Sequence, residues 1–173
     1  VERELNNEEL VIADDEKAIA IAGIIGGMGT EITAETKNVF LEVAYFTPEN
    51  IRKTGRRLGI STDSSYRNER GIDIEGIPDA SERAAALIVA IAGGELLDGA
   101  IDKYVEKPKK IEIPLSLEKL NKFVGKELSS DTVGKILSNL GLGIKTLSQD
   151  TLLITPPTYR GDLTRTADIY EEI

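Results

Sequence analysis

Four carboxylates, Asp162, Asp168, Glu171 and Glu172, fall within eleven residues near the end of the sequence. Asp168, Glu171 and Glu172 stand at i, i+3 and i+4, so a helix through them puts all three on one face. Such a face repels itself unless a cation neutralises it, and hard oxygen ligands suit Mg²⁺ or Ca²⁺. The plainer reading is a solvated acidic face, with Tyr159-Arg160 just upstream pairing part of the charge. A further carboxylate, Glu42, stands alone in the apolar run Val39-Phe40-Leu41-Glu42-Val43-Ala44-Tyr45-Phe46. At a strand's period of two, it shares a face with Phe40, Ala44 and Phe46. A lone carboxylate on such a face is costly unless it is bonded, paired or protonated. Either it is an edge charge that deters aggregation, or it is a polar group kept in a pocket for a ligand.

Two other stretches carry chemical potential. Gly23-Ile24-Ile25-Gly26-Gly27-Met28-Gly29 lacks the spacing of a dinucleotide fingerprint and leads toward a strand rather than a helix. It reads either as a turn that needs positive φ or as backbone that must approach a ligand. Arg52, Lys53, Arg56, Arg57, Arg67 and Arg70 form a basic island, net +4 over residues 50–70, in a chain of net charge −9. That island is a solvated helix face or a patch for phosphates. Residues 1–49, by contrast, carry net −8.

The 173 residues contain no Cys and no His, which excludes disulfide scaffolds, thiol nucleophiles and His-dependent triads. No apolar run approaches the ~18 residues of a membrane-spanning helix. The net acidity argues against a general nucleic-acid binder. There is no initiator Met, signal peptide or lipidation motif, and the last residues read as the middle of a helix. The expectation is an excised piece of a larger cytoplasmic protein.

The elements that must position these groups divide at Glu106-Lys107-Pro108-Lys109-Lys110, a linker. In the first part, strands over 10–13 and 18–22 flank the polar turn Asp14-Asp15-Glu16-Lys17, and a third strand is expected over 39–46. Thr47-Pro48-Glu49 starts a helix that runs to Leu58 and stops at Gly59. Pro78 opens another, whose Ala80, Ala84, Leu87, Ile88 and Ile91 face predicts close packing on a sheet. In the second part a short strand at 111–114 precedes a helix capped by Ser116. A second helix is capped by Ser129 or Ser130, a hairpin surrounds Ser148-Gln149-Asp150, and a last helix begins near Thr164. The fold class is α+β: a mixed first portion, then a small domain of winged-helix-like layout. The expected recognition helix carries Lys135 as its only base beside Asp131, a weak case for DNA.

Several stretches are similar to one known family. They are Gly23-Ile24-Ile25-Gly26-Gly27, the run from Phe40 to Pro48, Ile51-Arg52-Lys53-Thr54, and Thr62-Asp63-Ser64-Ser65-Tyr66-Arg67-Asn68-Glu69-Arg70-Gly71-Ile72-Asp73. With Pro157-Thr158-Tyr159-Arg160-Gly161-Asp162-Leu163, they resemble the bacterial phenylalanine–tRNA ligase beta subunit, in order over nearly the whole chain. The resemblance implies that residues 1–105 are the later part of a tRNA-editing domain, 106–110 a linker, and 111–173 the winged-helix-like domain that follows. It implies an aminoacyl-tRNA ligase subunit that supports phenylalanine charging and hydrolyses mischarged tyrosyl-tRNA.

By the same resemblance, Glu42 accepts a hydrogen bond from the tyrosine hydroxyl, Gly26 lies in the pocket wall, and Thr62 and Ser64 line the ring site. No catalytic residue is implied, because water attacks the ester. The family usually has Ala where Ser64 stands. Its further pocket residues precede Val1, so weak or no editing is expected of this chain alone. Asp162, Asp168, Glu171 and Glu172 match positions that hold Mg²⁺ shared with the alpha subunit in an alpha2beta2 heterotetramer. ATP is used by the holoenzyme and not bound by these residues. Phenylalanine tRNA is the implied partner, and Arg52, Lys53, Arg56 and Arg57 are candidates for contacting its end. The competing reading is a non-catalytic winged-helix nucleic-acid-binding or structural module.

Overall fold

The computed structural model describes residues 2–104, 107 and 109–173. They form two compact units, Val1–Leu97 and Asp98–Ile173, in a mixed α+β chain with two small antiparallel sheets. Glu106 and Pro108 of the expected linker lie outside the described residues.

The first unit begins with β1 (Val11–Ala13) and β2 (Ala18–Ile21), paired antiparallel with Val11 opposite Ile21. Asp14 closes their turn. Its carboxylate accepts from the N–H groups of Lys17 at 2.7 Å and Glu16 at 2.9 Å, which lowers its pKa. A short β3 (Ile25–Gly26) folds back onto β2. Helix α1 (Pro48–Leu58) begins with Pro in its first turn and Glu49 beside the positive end of the dipole. It buries Ile51, Thr54 and Leu58 along one stripe and ends at Gly59, whose left-handed φ of 63° suits glycine. Helix α2 (Asp63–Asn68) is capped by Thr62, and α3 (Ile77–Ala92) follows.

Two expectations fail here for one physical reason. Residues 39–46 form no strand, and Phe40, at 85% exposure, sits in solvent together with Val39, Leu41 and Tyr45. An extended segment becomes a strand only by exchanging backbone hydrogen bonds with a neighbour. Among the described residues none pairs with it. Glu42 is therefore an exposed carboxylate and not a member of a strand's buried face. Likewise α3 forms as a helix but buries none of its residues, and Ile91 is 82% exposed. Its apolar face is not buried against a sheet among the described residues.

The second unit matches its expected layout. Strand β4 (Ile113–Ser116), helices α4 (Leu117–Val124) and α5 (Ser130–Asn139), and the hairpin β5 (Gly143–Thr146) and β6 (Thr151–Thr155) follow in order, then α6 (Thr166–Glu171). The sheet runs β4-β6-β5, with Leu115 opposite Leu152 and Ile144 opposite Ile154. Alternation along β4 and β6 turns Ile113, Leu115, Leu152 and Ile154 inward. Leu120, Val133 and Leu137 from the helices and Leu163 and Ile169 from the end of the chain complete the core. Ser116 and Ser129 cap α4 and α5 by accepting from Lys119 and Thr132 N–H groups. No helix among the described residues is long and apolar enough to cross a membrane.

Leu120 is fully buried and Ile91 is not. Leu120→Ala should cost ~2–5 kcal/mol through lost transfer energy and the cavity left behind. Ile91→Ala should shift stability by no more than ~0.5 kcal/mol. Denaturant unfolding followed by circular dichroism distinguishes the two.

Candidate functional site

The motif residues of the first unit meet at the turn between β2 and β3. Gly23 and Ile24 lie in that turn, where their carbonyls have no strand partner. Helix α2 satisfies both. The Thr62 hydroxyl donates to the Ile24 carbonyl at 2.7 Å and accepts from the Ser65 N–H at 3.0 Å. The Ser64 hydroxyl donates to the Gly23 carbonyl at 2.9 Å, and the Asn68 amide donates to the same oxygen at 3.2 Å. Ser65 returns the cap by accepting from the Thr62 N–H at 2.8 Å. The hydroxyl that distinguishes Ser64 from alanine is thus tied to backbone.

Gly23 has a φ of 67°, and a Cβ there would fall 2.7 Å from Phe46 Cδ2 and 2.9 Å from Ile51 Cδ1. Glycine is required twice over, by conformation and by the Phe46 ring seated on it. Gly26, three residues on, borders open space. Thr62, Ser64 and the glycine turn are therefore one assembly. Glu42 stands four residues before Phe46, within ~14 Å of it along the chain, and makes no hydrogen bond to the turn among the described residues. Partial burial pushes its carboxyl up from the ordinary value although the residue as a whole is exposed. Asn68 and Phe46 carry this arrangement, and only their membership in the quoted motifs marked them in the sequence.

The basic island is largely spent inside its own unit. Lys53 pairs with Glu8 at 2.7 Å, and Arg57 pairs with Glu9 and donates to the Glu4 carbonyl at 2.9 Å. Arg52 donates to the Glu69 carbonyl at 2.9 Å. Burial raises the Glu9 carboxyl, but hydrogen bonds from Arg57 and the Asn6 N–H outweigh it, so its pKa falls. Arg70 lies 3.5 Å over the Tyr66 ring and pairs with Glu69 at 2.6 Å. Arg52, Lys53 and Arg56 still line an open groove on α1, with Glu49.

The four terminal carboxylates do not converge. Arg160 Nε and Nη2 bind Asp162 at 2.9 and 2.7 Å, while Nη2 and Nη1 bind Glu172 at 2.7 and 3.3 Å. Asp168 instead serves the N-terminus of α6. It accepts from the Thr164 and Arg165 N–H groups, both at 3.0 Å, and from Arg165 Nε at 3.0 Å. Those bonds, the Thr164 N–H foremost, pull its pKa down to about 2. Arg160 likewise lowers the Asp162 carboxyl. Glu171 is exposed. Among the described residues no group of three or more acids is arranged to hold a metal ion. The expected magnesium ligands, as they stand, do not fit a divalent ion.

Each of the two units contains a match to a recognised domain. Residues 1–93 match the B3/4 domain, and residues 113–173 match the tRNA synthetase B5 domain. The chain belongs to the phenylalanine–tRNA ligase beta-subunit family. It is 64% identical over 173 residues to the phenylalanine–tRNA ligase beta subunit of Fusobacterium nucleatum, covering all of this chain and 22% of that protein. The corresponding subunit of Carboxydothermus hydrogenoformans is 46% identical, with 100% of this chain and 22% of the relative covered. That of Moorella thermoacetica is 43% identical, with 100% and 21% covered. The chain thus spans about a fifth of the length of these relatives.

Thr62→Ala removes a helix cap and an interlocking bond together and should cost ~1–2 kcal/mol. Ser64→Ala should cost at most ~1 kcal/mol, because Asn68 still serves the Gly23 carbonyl. Thermal unfolding measures both. Asp168 has its pKa lowered from 3.8 to about 2 on folding, so its contribution is complete above pH 4 and is lost as pH falls toward 2. Asp168→Asn should flatten that limb of the stability–pH profile.

Proposed function

We propose that this chain is part of a ligase subunit that supports charging of phenylalanine tRNA. Its first unit supplies part of a site that hydrolyses tyrosine wrongly joined to that tRNA. The observation that carries the reading is the docking of Thr62 and Ser64 onto the glycine turn. It brings Thr62 and Ser64, which the family resemblance names, onto the turn that leads to a third such residue, Gly26. Glu42 accepts the hydrogen bond of the tyrosine hydroxyl, Gly26 gives the ring a wall without a side chain, and Thr62 and Ser64 fix the loop around it.

The selectivity follows from polar burial. A desolvated acceptor rewards a para-hydroxyl and is left unpaired by phenylalanine, which supports ~10⁴–10⁵-fold discrimination where an apolar slot would not. In this chain Glu42 is exposed, so the mechanism requires the remainder of a ligase of the relatives' length to cover it. The rise in its carboxyl pKa already has the direction that such covering extends. Water attacks the ester carbonyl, the bond to the ribose oxygen breaks, and that oxygen leaves with the proton as free tRNA. The chain's own residues bind and orient; none is assigned as acid or base, and no step uses a metal ion.

The partners in this reading are an alpha subunit in an alpha2beta2 assembly and phenylalanine tRNA, in the cytoplasm, with ATP consumed by the complete enzyme. Arg52, Lys53 and Arg56 line the α1 groove and are the candidates for the tRNA end, although Lys53 also pairs with Glu8 and Arg52 with the Glu69 carbonyl; Arg57 is turned toward Glu9. The strand–helix–helix–hairpin order of the second unit favours a second reading, a nucleic-acid-binding module. Lys135 and Asp131 on α5 nearly cancel, which weakens it.

Glu42→Ala in a complete ligase carrying these residues tests the first reading. Clearance of tyrosyl-tRNA should fall at least ~100-fold, as for loss of a specific polar contact, with phenylalanine charging retained. Unchanged clearance removes Glu42 from the site. Steeply salt-dependent duplex binding by the chain would support the second reading instead.

A further inference from the structure

Three of the terminal acids, Asp162, Asp168 and Glu172, are held by arginines, and Arg160 stands where a cation would have to replace it. The guanidinium makes three bonds to Asp162 and two to Glu172, with both oxygens of each carboxylate engaged. Arg160 and Glu172 are mostly buried, at 23% and 20% side-chain exposure, while Asp162 is open. The bridge spans twelve residues and joins the loop before Leu163 to the end of α6. Leu163 and Ile169, both in the core, lie between its two anchors. A planar fork meets two carboxylates in a way that a point charge cannot.

Mg²⁺ needs close octahedral oxygen ligands at ~2.0–2.1 Å and gives up its water reluctantly. The oxygens of Asp162 and Glu172 that it would take are the ones Arg160 already occupies. Asp168 is committed to the α6 N-terminus and to Arg165. Guanidinium and divalent ion are therefore alternatives at one place.

We infer that Arg160 is a built-in counter-cation that holds α6 onto its unit without a divalent ion, and that Mg²⁺ is accepted there only when Arg160 is withdrawn. This does not rest on the proofreading assignment, since it concerns the second unit alone. Arg160 is in this sense a positioning residue for the last helix.

The test uses the full 173-residue chain. Thermal unfolding of the wild type in chelator and in millimolar Mg²⁺ should give the same Tm, and Mn²⁺ should keep its free-ion paramagnetic spectrum in its presence. Arg160→Gln should lower Tm by about 2–4 °C or more in chelator. It should then gain a saturable rise in Tm with Mg²⁺, because Asp162 and Glu172 now face each other uncompensated. Arg160→Lys, which keeps the charge and loses the fork, should be less stable than wild type yet still indifferent to Mg²⁺. Wild-type Mn²⁺ binding at millimolar or lower concentration overturns the inference. So does an Arg160→Gln variant that Mg²⁺ neither stabilises nor rescues from misfolding.

Discussion

Two backbone carbonyls, those of Gly23 and Ile24, set the form of the first unit. They sit at a turn where no strand reaches them, and Ile24 is almost wholly buried. A buried carbonyl without a partner is costly, so the chain must bring donors to it. It does so with three side chains from one short helix and its cap, Thr62 at the N-cap and Ser64 and Asn68 within the helix. Six residues are too few for a helix to persist by itself. The helix is held by its own cap and by the turn it serves, and the turn is held by the helix. Phe46 and Ile51 then crowd the Cα of Gly23, leaving no room for a side chain there.

The uneven charge of the chain resolves into local compensation of the same kind. The acidic opening segment supplies Glu8 and Glu9 to Lys53 and Arg57 of α1. At the other end, Arg160 and Arg165 answer Asp162, Glu172 and Asp168. In the first place the paired charges lie some 45 residues apart in the sequence, and in the second they lie two to twelve residues apart. A run of one sign along the sequence is therefore a poor guide to the field that a ligand meets.

What could be read in advance divides along the range of the interactions. The caps at Ser116 and Ser129, the stop at Gly59, and the hairpin around Asp150 depend on neighbours a few residues away. Each appears where the sequence places it. The strand over 39–46 and the packing of α3 required partners far along the chain, and alternation of side chains carries no information about whether a partner arrives. The site shows the same division. Thr62, Ser64 and Gly26 were marked by a family motif, yet the bonds from α2 to the Gly23 and Ile24 carbonyls lie 38 to 45 residues apart and left no local trace. The acids at the end stand together in the sequence, whereas the Arg160 fork that joins Asp162 to Glu172 reaches across twelve residues.

The strand order β4-β6-β5 has a consequence for how the second unit comes into being. Its central strand is the last to be made, so β4 finds no edge to join until the chain has passed α4, α5 and the whole hairpin. The two capped helices can condense early, but the sheet beneath them stays open, with Ile113 and Leu115 uncovered until Leu152 and Ile154 arrive. During synthesis the apolar side of β4 therefore waits for nearly forty residues of further translation. Closure by a distant partner is the slow kind of step, because loop entropy must be overcome before any pairing rewards it.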